Sequence, residues 1–143
     1  MRLPSVAVLS RATVAATAVL AATAFLPWTR SGQVDRSGWS TVSSARRLGV
    51  VDSAGAELVV NAFYLVPALA FVAFVAYLLD RHRWVAAVAV VAVVATVVVA
   101  VAVIRSPLGA RWGVWLNIAV ASIDGCLGIG VMVRAGRSGE PSG

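Results

Sequence analysis

Apolar residues fall in four runs along the chain, Val6 to Leu26, Leu58 to Leu79, Trp84 to Ile104 and Gly113 to Val133, with polar residues gathered between them. Each run holds about 20 residues, the length at which a helix crosses ~30 Å of hydrocarbon. Valine is frequent, which in water favours strand. The runs do not alternate, however, and a backbone in lipid must satisfy its own hydrogen bonds, so helix is expected. The separators are a polar stretch from Pro27 to Glu57, the turn Asp80-Arg81-His82-Arg83, and a loop from Arg105 to Trp112. The short turn leaves room only for an antiparallel helical hairpin. The pattern therefore predicts an all-α membrane protein, a four-helix transmembrane bundle forming a single domain over 1–134. The remainder, 135–143, is polar and rich in Gly and Ser, as a disordered tail would be.

Within the first separator, 27–57, Trp39, Val42, Ala45 and Leu48 recur every three positions and Gly49 is placed to close a helix. A short amphipathic helix in the first exported loop is expected, lying on the outer surface of the bundle. Its Trp39, Arg46 and Arg47 are the candidate partner-facing residues; lipid phosphate, an acidic partner or plain water would each suit the two arginines. Asp52 or Ser53 is placed to cap a helix that leads through Glu57 into the second span.

The first run has two readings. Arg2 and Arg11, an apolar core from Ala12 to Leu20 and the triplet Ala22-Thr23-Ala24 resemble a secretory signal with its cleavage site. Against cleavage, Phe25-Leu26-Pro27-Trp28 carries the apolar run on to a tryptophan, so a retained helix is the reading adopted. Six arginines fall on each side of the membrane, and the positive-inside rule does not orient the bundle. The signal-like polarity of the first span places both termini in the cytoplasm, in a plasma membrane. Trp28, Trp112 and Trp115 would then mark the outer interface, Tyr77 and Trp84 the inner one. Phe63, Pro67, Phe71, Phe74 and Leu78 form a stripe suited to helix packing around a proline kink. The third span, with Thr96 its one polar residue, is expected to face lipid over most of its circumference.

Composition agrees with the bilayer as solvent. The 143 residues are 60% hydrophobic and 13% charged, with a mean hydropathy of +0.90. All twelve basic residues are arginine and the net charge is +6. They are scattered singly or in pairs between apolar runs, which points to lipid headgroups and away from nucleic acid. The single cysteine, Cys126, excludes an intrachain disulfide and is expected to be a small buried residue of the fourth span.

No catalytic constellation stands out: the one histidine, His82, lacks a second metal ligand beside it, and no phosphate loop, G-x-S-x-G or cysteine pair is present. The chain is expected to be no enzyme and to carry neither cofactor nor metal. The chemistry worth weighing is in the fourth span. Asp124 is the one acid deep in an apolar run, and Asn117, Ala121, Asp124 and Gly128 fall on one helical face. Small residues on that face let helices approach and polar ones hydrogen-bond across the contact. Depths of about 9 Å for Arg11 and about 13 Å for Asp124 allow a buried ion pair between them. The other reading has Arg11 snorkelling to headgroups and Asp124 bonded to Asn117 or a threonine such as Thr17.

The run Leu26-Pro27-Trp28-Thr29-Arg30-Ser31-Gly32, then Arg36-Ser37 and Arg47-Leu48-Gly49, resembles small four-helix membrane proteins of actinobacteria, and Gly113-Val114-Trp115-Leu116 is similar too. The resemblance implies the four-span topology and a mycobacterium-like plasma membrane, and carries no functional residue with it. The function expected is that of a non-enzymatic accessory or scaffold subunit, partnered by another membrane protein or by its own copies. The alternative is a small transporter or sensor in which Asp124 binds a proton or cation.

Overall fold

A computed structural model describes residues 4–47, 54–106 and 109–137. The first helix, α1 (Val6–Ala22), is capped by Ser5, whose hydroxyl accepts from the Val8 amide at 3.4 Å. It ends in one 3₁₀ turn, Thr23–Phe25, and at Leu26 the backbone turns extended, as a residue preceding proline must. Two strands follow, β1 (Pro27–Ser31) and β2 (Val34–Ser37), then α2 (Gly38–Arg47). The three remaining helices are α3 (Ala54–Leu78), α4 (His82–Arg105) and α5 (Trp112–Arg137), with a two-residue strand, β3 (Gly109–Ala110), before the last. Four helices among the described residues are long and apolar enough to cross a membrane: Val6–Phe25, Ala54–Leu78, His82–Arg105 and Trp112–Gly136. They match the four apolar runs.

The expected loop helix is present as α2. Gly49, Asp52 and Ser53, assigned capping roles from sequence, lie outside the described residues. The sheet was not foreseen. β1 pairs with β2 through a two-residue turn at Gly32 and Gln33, where Gly32 takes a left-handed φ of 62°. On its other edge β1 pairs with β3, so the order is β2-β1-β3 and the loop before α5 is stitched to the loop after α1.

α3 and α4 form the hairpin that the short separator demanded. Asp80 closes α3 in the left-handed region (φ 52°), with Arg81 N donating to Ala76 O at 2.9 Å and Asp80 N to Tyr77 O at 3.0 Å. These two bonds make a Schellman turn, in which a short polar side chain is tolerated where glycine is commonest.

The helix expected to face lipid over most of its circumference is the most enclosed of the four. Val85, Ala86, Ala89, Ala92 and Val99 are buried at helical spacing, while Val91, Val94, Val97 and Val101 are exposed. The alanines let three neighbours close on one side of α4, so packing here follows side-chain size and not polarity. The α3 stripe behaves the opposite way. Phe63 is buried, but Pro67, Phe71, Phe74 and Leu78 are exposed, and α3 packs through Val60, Ala62, Val66, Ala73 and Ala76.

Trp28, assigned from sequence to the outer interface, packs inside the protein: it is 3% exposed, donates its indole N–H to Thr23 O at 2.7 Å and meets the Phe63 ring edge-on at 5.7 Å. Gly38 and Gly113 make room for it. A Cβ at Gly38 would stand 2.8 Å from the Trp28 ring, and one at Gly113 would collide with the Pro27 carbonyl. The bundle thus has two unlike ends, one carrying the sheet and α2, the other the α3–α4 turn. At the latter, Arg134 reaches Pro4 O (2.8 Å) and Arg83 reaches Ala135 O (3.2 Å).

Candidate functional site

α5 presents Val114, Asn117, Ala121, Asp124, Gly128 and Val131 on a single buried face, the predicted face extended by a turn at each end. Gly128 lets α4 approach; a Cβ there would lie 3.6 Å from both the Ala86 carbonyl and the Ala89 Cβ. On the other side α1 runs antiparallel to α5. Leu9 lies beside Gly130, Thr17 beside Asp124 and Thr23 beside Asn117.

Asp124 is fully enclosed, and its carboxylate accepts from the Thr17 hydroxyl, with oxygen distances of 2.9 and 3.1 Å. The same hydroxyl lies 2.9 Å from Thr13 O, and the Thr13 hydroxyl donates to Leu9 O at 3.0 Å. Ser10, Thr13 and Thr17 thus form a polar stripe on the buried side of α1, each without measurable exposure. The Ser10 hydroxyl has no hydrogen-bond partner among the described residues. Nearer the sheet, the Thr23 hydroxyl lies 2.5 Å from Asn117 Oδ1 and 2.6 Å from Leu20 O.

Arg11 takes no part in this. It is exposed, and its Nε donates to the Tyr77 hydroxyl at 3.2 Å. The antiparallel register sets Arg11 level with Ile129, five residues and about 8 Å along the axis from Asp124. It also stands off the Ser10–Thr13–Thr17 face. The ion pair suggested by depth alone is therefore not formed, and Thr17 is the partner of Asp124. Thr23, Thr13 and Ser10 were missed because scattered hydroxyls are a weak signal in a run dominated by Ala and Val, even where Ser10, Thr13 and Thr17 follow i, i+3 and i+7.

Of the candidate loop residues, Trp39 ties α2 down. Its ring stacks on Phe25 (6.2 Å between centroids) and meets Tyr64 edge-on (5.2 Å), yet it stays 43% exposed. Arg46 and Arg47 are exposed in the last turn of α2, where cations suit the helix dipole. Arg36 and Arg111 belong to the sheet end: one donates to Ser44 Oγ at 3.2 Å, the other pairs with Asp35 at 3.2 Å. That pair is solvent-exposed and adds little stability. Cys126 is exposed on the outer side of α5, not buried as expected, because the buried face is taken by Asp124 and Gly128. Among the described residues no three His, Cys, Asp or Glu side chains gather as a metal site would need. Comparison with family models, with curated proteins and with solved structures finds no match.

Proposed function

We propose that this chain is a multi-pass integral protein of the plasma membrane, with its first span retained, acting as a non-enzymatic accessory or scaffold subunit. The observation that carries the reading is where the intramembrane polar groups are spent. Thr17 with Asp124 and Thr23 with Asn117 bind α1 to α5 inside a closed core, which is structural work. The sheet end, by contrast, offers Trp39 and Phe25 partly bare beside Arg46 and Arg47, an amphipathic surface suited to an acidic-rimmed membrane partner. Retention of the first span is supported by the same bonds, since cleavage after Ala24 would strip Asp124 of its partner.

The test is capture from mild detergent with tagged wild type and with the Trp39→Ala/Arg46→Gln/Arg47→Gln variant. A partner enriched by wild type and lost from the folded variant is expected. Identical captures by the two would remove this surface from the reading.

The second reading keeps Asp124 as a proton- or cation-responsive group. One Thr17 hydrogen faces three acceptors, Thr13 O and both Asp124 oxygens, so the cluster has room for one more proton. Solute movement by the purified chain in vesicles, abolished in a stably folded Asp124→Asn variant, would favour it over the scaffold.

A further inference from the structure

At the end opposite the sheet two cavities of different chemistry adjoin. One, about 440 Å³, is lined by Arg81, His82, Arg83 and Trp84, with Asp80 its one acid. The other, about 250 Å³, is an apolar groove along α3 and α4, lined by Val72, Val75, Leu79 and Val88. Arg81 and Trp84 line both, so a cationic hollow continues into an apolar furrow. Arg81 and Arg83 are exposed, and the guanidinium of Arg81 meets no acid among the described residues. His82 Nδ1 is shut off from solvent without a hydrogen-bond partner among those residues.

From this juxtaposition we propose that the α3–α4 turn binds one anionic phospholipid. Its phosphate sits in the hollow on Arg81, Arg83 and the first turn of α4, and an acyl chain lies along Val72, Val75 and Leu79. The inference deepens the membrane reading and rests on it. Guanidinium forks match phosphate oxygens, and the amides opening a helix add donors of the right sign. Trp84, 64% exposed between the two cavities, stands where a ring prefers the boundary of headgroup and tail. A free phosphate would use the hollow and ignore the furrow; an anionic lipid uses both. A zwitterionic lipid would gain the furrow but bring its own cation to two arginines.

Native mass spectrometry of the full chain in mild detergent tests this, by titrating phosphatidylglycerol and phosphatidylcholine with the same acyl chains. Phosphatidylglycerol should be retained about thirtyfold better, the preference two juxtamembrane arginines supply. Arg81→Gln/Arg83→Gln should lose that preference, and Arg46→Gln/Arg47→Gln, at the other end, should keep it. Val75→Trp, which fills the furrow, should weaken both lipids alike. Equal retention of the two lipids by wild type, or a preference surviving Arg81→Gln/Arg83→Gln, overturns the proposal. So does displacement of phosphatidylglycerol by inorganic phosphate with Val75→Trp silent, which would mark an anion site alone. Release of the chain from membranes by alkaline carbonate would instead sink the membrane reading, so the two failures are distinguishable.

Discussion

Asp124 and Thr17 are 107 residues apart in sequence and share one hydrogen bond in the core. Asp124→Asn keeps the shape and one acceptor oxygen, and should cost about 1 kcal/mol, the size of a typical interhelical hydrogen bond in lipid. Thr17→Val should cost a similar amount, and the double variant less than the sum, since both changes act on the same bond, one weakening its acceptor and the other deleting its donor. Asp124→Asn with Arg11→Gln should be additive within about 0.5 kcal/mol, because Arg11 is bonded to Tyr77 and not to the carboxylate. Thermal unfolding in detergent reads both cycles; a coupling between Asp124 and Arg11 as large as that with Thr17 would contradict the register described above. The buried face itself was legible in the sequence, because helical period is a local property. Which residue of α1 meets Asp124 was not, because a shift of five residues between helices changes no local pattern.

At the scale of elements, α4 is where side-chain size decides the packing. Ala89→Leu pushes extra methylenes between α4 and Gly128 of α5, and should cost about 1–3 kcal/mol. Val94→Leu, on the exposed side of the same helix, should stay within about 0.5 kcal/mol. Melting of the two variants in detergent checks the pair, and equal losses would mean that α4 is enclosed on both sides by a further chain. Hydropathy could not separate these faces, since alanine and valine read alike on an apolar scale. The β1–β2 hairpin was hidden for a related reason. Its strands are five and four residues long and mostly polar, so no alternation announces them beyond Gly32 in the turn. Their pairing gains support from α2, through Thr29 and Thr41 at 2.8 Å, and from β3, which no local window could supply.

For the whole molecule, the four long helices bring the beginning of α1 and the last turns of α5 to one end and the sheet with α2 to the other. On the sequence expectation that the loop from 27 to 57 is exported, Arg47→Cys in a Cys126→Ala background should react with an impermeant maleimide in intact cells. Both positions are exposed, so removing Cys126 clears the background. Labelling only after lysis would invert the bundle. Intact mass of the same purified protein should include residues 1–24; a chain beginning at Phe25 would leave Asp124 without Thr17 and show that the first run is a signal.

Four apolar runs and the short turn between the second and third determined, by length and composition alone, that the chain forms four long helices and one helical hairpin. Period likewise determined the buried face of α5 and the short helix α2. Tertiary structure decided the rest: Thr17 over Arg11 as partner of Asp124, α4 as the enclosed helix, Trp28 as core and the three-stranded cap. Each depends on contact between segments distant in sequence, where register and side-chain volume choose among arrangements that hydropathy leaves equal.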